Sequence, residues 1–388
     1  MEWFVKRSSE LYVSSSGLSK ASDQFGYGYP FLSYKDVFNN YYAPEELSTL
    51  VNSTEKDRQT CSVKRGDVFL TRTSETTDEL GMSCVALKDY ENATFNGFTK
   101  RLRPLTDEII PEYAAYFFRS SYFRAQCQSL ASLITRASLN DGMIRRFLIK
   151  FPKEKKQQER IGRILLTYDT LIENNTKRIR LLEKMAENLY KEWFVRFRFP
   201  GYEKVEMENG LPKGWIVMKI KECIDRLAFG QTYQEKELQD EGNVIVIDQS
   251  TKEYLGYHNN VPAHKANVDK PILLFGDHSC KFKLMIQDFS LGENVIPFIS
   301  TNDSIINRYY LYFAVHKLIT TEEYKRHWGR FVAMKIFVPE MSLQMEFSHR
   351  MKQMELYKEY LAKQNTLLAR QRDLLLPRLM SGKLEVKP

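Results

Sequence analysis

Residues 151–194 read FPKEKKQQERIGRILLTYDTLIENNTKRIRLLEKMAENLYKEWF, and residues 336–380 read IFVPEMSLQMEFSHRMKQMELYKEYLAKQNTLLARQRDLLLPRLM. In each stretch an apolar, strand-like run ends in a proline, Phe151-Pro152 or Val338-Pro339, and opens a long helical pattern. The two openings lie about 186 residues apart. Self-similarity on that scale means two copies of one unit rather than a short-period solenoid. Each unit is a globular segment followed by one long helix.

The first helical pattern places Ile161, Leu165, Tyr168, Ile172, Asn175, Ile179, Leu182, Ala186, Leu189 and Trp193 at alternating steps of four and three. That is the seam of a coiled coil, apolar every 3.5 residues. The second pattern keeps the phase with Phe347, Met351, Met354, Lys358, Leu361, Asn365, Leu368, Arg372, Leu375 and Leu379. Lys358 and Arg372 are poor seam residues, and the single seam asparagines, Asn175 and Asn365, are of the kind that fixes register at a cost in stability. A helix of 40 residues is roughly 60 Å long at 1.5 Å per residue. An amphipathic helix of that length needs a partner, and its own duplicate is the obvious one.

Outward from the helices, the globular segments repeat more faintly. Trp3-Phe4-Val5 resembles Trp215-Ile216-Val217, and turns at Gly17 and Gly230 follow. Strands are expected at Gly28–Leu32 and Gly242–Val246, then at Val68-Phe69-Leu70 and Ile272-Leu273-Leu274, each of the latter leading into a polar loop. An aromatic helix comes next, with Tyr113, Tyr116 and Phe117 matched to Tyr309, Tyr312 and Phe313. Short strands mixed with short helices argue for α+β globules.

Composition narrows the function. Lys and Arg outnumber Asp and Glu by 57 to 49, a net charge of +8, and residues 151–200 hold twelve basic against seven acidic side chains. Clustered base fits contact with nucleic-acid phosphates. Five scattered cysteines (Cys61, Cys84, Cys127, Cys223, Cys280) form neither a zinc pattern nor a disulfide framework, so reduced thiols are expected. No apolar run reaches the roughly 18 residues of a membrane span and no signal-peptide pattern follows Met1, so a cytoplasmic location is expected. No G-x-x-x-x-G-K-S/T phosphate loop, adenine-methyltransferase tetrapeptide or H-E-x-x-H metal motif is present, and the six histidines form no triad. The chain is expected to bind and position rather than to catalyse.

Three local motifs, in order, complete the pattern: Leu211-Pro212-Lys213-Gly214-Trp215, Asn188-Leu189-Tyr190-Lys191-Glu192-Trp193-Phe194, and Leu376-Pro377-Arg378-Leu379-Met380-Ser381-Gly382-Lys383-Leu384. With the duplication, the whole chain resembles the specificity subunit of a type I restriction-modification system. The first motif resembles the "LPxGW" opening of a recognition domain, the second the end of the central helix, and the third the C-terminal ending. At the N-terminus only Trp3 stands where a full "LPxGW" would lie.

The resemblance implies an α+β protein: two α/β target-recognition domains separated by a pair of long antiparallel coiled-coil helices. The expected boundaries are 1–150 for the first domain, 151–198 for the central spacer helix, 199–337 for the second domain and 338–388 for the C-terminal helix. It also implies partners: double-stranded DNA with a bipartite asymmetric site, two methyltransferase subunits and motor-nuclease restriction subunits. S-adenosylmethionine, ATP and Mg are expected on those partner subunits, with no cofactor, metal or catalytic residue in this chain and no membrane association.

Candidate DNA-contacting residues are polar side chains in loops at strand ends, because bidentate Arg, Asn and Gln contacts discriminate bases while Lys and backbone contacts position the protein. In the first domain they are Tyr34, Lys35, Arg72, Thr73, Ser74, Arg136, Ser138 and Asn140. In the second they are Gln249, Ser250, Lys252, Tyr257, His278, Lys281, Arg326, Trp328 and Arg330. Two alternatives stay open on residues alone, a coiled-coil assembly scaffold that binds no DNA and a stand-alone methyltransferase or nuclease.

Overall fold

A computed structural model describes residues 2–74, 79–130, 132–133, 137–250, 252–319 and 326–386. The chain divides into two compact units, Met1–Asn174 with Gln364–Pro388, and Asn175–Lys363. Each holds one α+β globule and a part of each long helix, Lys155–Tyr190 and Met341–Ser381.

In the first unit four antiparallel strands lie in the order Tyr12–Ser16, Thr99–Pro104, Val68–Thr71, Ser83–Val85. A second sheet sets Phe25–Leu32 between Leu50–Val51, antiparallel, and Thr94–Phe95, parallel. The central run Val68-Phe69-Leu70 is apolar without alternation because both of its faces are covered. Val68 and Leu70 point into one core with Tyr113, Tyr116 and Phe123, while Phe69 points into another with Leu32, Val37 and Phe95.

The second unit repeats this topology with the same order and sense. Its larger sheet runs Ile224–Arg226, Val295–Ser300, Ile272–Gly276, Phe282–Met285, and its smaller sheet sets Val244–Ile247 between antiparallel Gly256–His258 and parallel Phe289–Leu291. Leu273 and Phe275 enter one core, Ile272 and Leu274 the other. The faint sequence repeat is therefore a repeat of fold.

A two-stranded ladder feeds each long helix. Trp3–Arg7 pairs with Leu148–Pro152, and Ile216–Lys219 with Lys335–Val338. Phe4 stands opposite Phe151 as Ile216 stands opposite Val338, so Trp3 and Trp215 hold equivalent places. The aromatic helices need a correction of one residue. Tyr113 Oη donates to Lys150 O at 2.8 Å, and its counterpart is Tyr310, which donates to Phe337 O at 2.5 Å, rather than Tyr309. Counting aromatics could not place that register, because a hydrogen bond to the last strand decides it.

All twenty expected seam positions are buried or half-buried. In the first unit Ile161 and Leu165 share a core with Leu376 and Leu379. In the second, Lys358 Nζ lies 3.3 Å from Glu183, whereas Phe347 lies 6.0 Å from Trp193, so the two segments run antiparallel. The charged seam residues are paired. Arg372 bonds Asp169 and covers the Tyr41 ring at 4.7 Å, and Lys358 also reaches Glu355 at 3.1 Å.

Both C-terminal helix motifs close on a tryptophan. The first helix ends in a π-helical turn, Lys191–Val195, which sets Phe194 against Trp215 at 5.9 Å. The second ends at Gly382, whose φ of +79° suits glycine, and a Cβ there would meet the Trp3 indole at 2.8 Å. All five cysteines are buried thiols, and none is in a disulfide.

Candidate nucleic-acid interface

Each central strand runs out of its sheet into a short polar loop, and two other segments meet that loop. In the first unit the strand ends at Thr71, whose hydroxyl donates to Glu79 O at 3.2 Å and accepts from Met82 N–H at 2.9 Å. The next residue, Arg72, donates its N–H to Phe98 O at 3.0 Å and accepts at its carbonyl from Leu139 N–H at 2.8 Å. Thr73-Ser74 then pairs with Ala137-Ser138. One loop, one turn between the two sheets and the segment before the last strand thus converge.

The second unit builds the same junction. Asp277, after the strand Ile272–Gly276, donates its N–H to Asn294 O at 2.9 Å and accepts at its carbonyl from His327 N–H at 2.9 Å. Its carboxylate also accepts from His327 and Trp328 N–H at 3.0 and 2.9 Å. These bonds replace the N-cap of the short helix Trp328–Ala333.

Of the first-unit candidates, Tyr34, Arg72, Thr73, Ser74 and Ser138 come together at this junction. Tyr34 Oη donates to Thr73 O at 3.2 Å, and its phenol is pushed up by burial. Ser74 is buried and donates to Glu79 Oε2 at 2.9 Å. Lys35 is exposed on the helix Tyr34–Asn39. Asn140 caps the helix Asp141–Arg146, accepting from Met143 N–H at 2.9 Å. Arg136 lies outside the described residues.

In the second unit Gln249, Ser250, His278, Lys281 and Arg326 gather around the equivalent loop. Gln249 Oε1 accepts from His278 N–H at 3.1 Å, Lys281 Nζ donates to Ser250 O at 2.9 Å, and Arg326 lies 3.9 Å from the Asp277 carboxylate. Ser250 Oγ donates to Asp248 at 2.6 Å. Lys252 pairs with Glu235 at 2.8 Å, which holds its ammonium above the usual lysine range. Arg330 is exposed on the short helix that follows. Two candidates stand apart: Tyr257 packs on Tyr254 along the strand Gly256–His258, and Trp328 packs on Phe275, Phe298 and Phe331 at the core.

Sequence reasoning missed the turns between the smaller and larger sheets, which carry Phe98 and Asn294, and the residues that anchor the loops. Lys100 ties the Asn140-Asp141 corner to the sheet through Asp141 at 2.9 Å and Ser16 at 2.9 Å, and this keeps the Asp141 carboxyl below the usual range. Lys283, depressed by burial, donates to Lys252 O and Glu253 O at 2.9 and 2.6 Å. Asn96-Gly97 is a legible turn signal, but nothing local says that the tip beyond it reaches Arg72. Among the described residues no group of His, Cys, Asp and Glu could hold a metal ion, and no helix is long and apolar enough to cross a membrane.

Residues 2–184, which include the first of these junctions, match the model of the type I restriction modification DNA specificity domain. That match covers just under half of the chain, and relatives named as type I restriction enzyme specificity subunits align along its whole length. The MjaIX specificity subunit of Methanocaldococcus jannaschii is 24% identical over 417 residues, spanning 100% of this chain and 94% of that protein. The HindI specificity subunit of Haemophilus influenzae is 24% identical over 171 residues, 43% of this chain and 36% of that one. The fold is similar to the type I S subunit from M. genitalium, with a TM-score of 0.59, 13% identity, and coverage of 97% of this chain and 96% of that one. These relatives are specificity or S subunits of type I restriction-modification systems.

Proposed function

We propose that this chain reads a bipartite DNA site for a type I restriction-modification complex, one recognition domain per half-site. The domains are residues 1–150 and 199–337, and the helices 151–198 and 338–388 act as the spacer between them. The observation that carries this reading is the duplicated junction, one fold whose equivalent loops present different side chains. Arg72 and Thr73 stand in one copy where Asp277 and His278 stand in the other. A shared scaffold with unlike tips is what reading two different short sequences requires, because base edges are distinguished by side-chain chemistry.

The helices support the docking of methyltransferase subunits. Outside the seam, the first unit exposes Leu171, Leu367 and Leu374, and the second exposes Leu181, Met185 and Leu356. These side chains lie outside the seam and are open to a partner's apolar surface. The test is to assemble the chain with its methyltransferase partner and sequence the methylated DNA. Exchanging residues 199–337 for those of a relative is expected to change one half of the methylated motif and leave the other. A motif that changes in both halves overturns the two-reader assignment.

A further inference from the structure

Phe98 and Asn294 occupy the same place in the two units. Each lies in the short turn that crosses from the smaller sheet to the larger one, and its carbonyl accepts the N–H of the first residue after the central strand, Arg72 at 3.0 Å and Asp277 at 2.9 Å. Their side chains are unlike. Phe98 is 61% exposed, an aromatic ring held outward beside the polar residues of the reading loop. Asn294 is exposed with a φ of +60°, a conformation that asparagine tolerates better than most residues.

Both turns are tied by a backbone hydrogen bond to the loop after the central strand. Phe98 is fixed on two sides, its N–H donating to Asn96 Oδ1 at 2.7 Å and its carbonyl accepting from Arg72. A side chain projecting from backbone held in this way loses little freedom on binding, which is what a specificity element needs. An exposed phenylalanine alone is ordinary. Here the ring sits at the point where the loop, the inter-sheet turn and the segment before the last strand converge, and its counterpart is an amide.

From this geometry we infer that the two inter-sheet turns carry paired specificity residues with different chemistry. Phe98 makes an apolar contact to a thymine C5-methyl group in the first half-site, and Asn294 makes an amide contact to an adenine edge in the second. The major groove offers both features, the methyl of T and the N6/N7 pair of A. The inference rests on the DNA-reading function proposed above and adds which side chains set the sequence and how.

The test uses the full chain assembled with its methyltransferase partner and duplexes carrying the motif read from its methylated DNA. Replacing each first-half thymine in turn by deoxyuridine removes only the methyl. One position is expected to weaken wild-type binding on the order of tenfold, and Phe98→Ala is expected to lose a similar factor and then be indifferent to that replacement. Asn294→Gly, which suits the positive φ, is expected to relax the second half-site only, and 7-deazaadenine at one position there to mimic it. Unchanged melting temperatures separate these effects from misfolding, and Phe98→Leu is expected to retain most of the methyl preference. Failure of the wild-type complex to bind any duplex in a salt-dependent way overturns the DNA-reading function, and this inference with it. Normal wild-type binding with both variants keeping the original motif overturns the assignment of these two turn residues alone.

Discussion

Gln158 and Gln344 make the same three hydrogen bonds in the two copies of the fold. Gln158 Nε2 donates to Glu108 O at 2.7 Å and Pro152 O at 2.9 Å, and its Oε1 accepts from Ile110 N–H at 3.0 Å. Gln344 Nε2 donates to Ile305 O at 3.0 Å and Pro339 O at 2.8 Å, and its Oε1 accepts from Asn307 N–H at 2.8 Å. Both side chains are fully buried. Each is the clamp between the start of a long helix and the turn before the aromatic helix, Pro111–Phe117 or Arg308–Val315.

Gln158→Leu and Gln344→Leu are each expected to cost roughly 2–4 kcal/mol, because three buried backbone groups lose their partner while the apolar replacement fills the space. Urea unfolding of each variant checks this. A loss below about 0.5 kcal/mol in either means that water or a shifted backbone satisfies those groups.

The buried pair Asp169–Arg372 in the first unit is a second test. Tyr116 Oη donates to Asp169 at 2.5 Å, so the carboxylate is held from two sides. Removing one charge strands the other, so Asp169→Leu or Arg372→Met alone is expected to destabilise by about 3–5 kcal/mol, with much of that recovered in the double variant. A double-mutant cycle by denaturation measures the coupling, and additive losses contradict it.

His258 makes stability depend on pH. Its Nδ1 accepts from Asn260 N–H at 3.1 Å and its Nε2 lies 2.9 Å from Ser290 Oγ, so the ring is bound as the neutral form. Burial holds its pKa below the ordinary 6.5. A depressed folded value means that the unfolded chain takes up the proton first. The contribution is present above about pH 6.5 and is lost as pH falls through the unfolded and then the folded value. Melting of the full chain between pH 8 and pH 5 is expected to show a decline below pH 6.5 that His258→Gln reduces; an equal decline in both removes His258 as its source.

The spacer role proposed for the helices makes a length prediction. Deleting residues 172–178 together with 363–369 leaves Asp169, Arg372, Glu183 and Lys358 in place and shortens each helix by roughly 10 Å at 1.5 Å per residue. The methylated motif is expected to keep both half-sites with an altered gap, and methylome sequencing that returns the original gap counts against the ruler.

The amino-acid sequence by itself determined the duplication, the two long helices and their seam. Heptad spacing is a local property, and even the misfit residues Lys358 and Arg372 kept their seam positions. It also determined the strands Val68–Thr71 and Ile272–Gly276, since a run apolar on both faces has nowhere to go but the middle of a sheet. Tertiary structure alone decided which side chains meet. The partners of Arg372 and Lys358, the one-residue shift that matches Tyr113 with Tyr310, and the Gln158 and Gln344 clamps all depend on residues far along the chain. The candidate interface divides the same way. The polar loops after the central strands were legible because turns have local signals. Phe98 and Asn294 were not, because each earns its position through a backbone bond to a loop on another strand, and periodicity carries no information about which strand ends become neighbours.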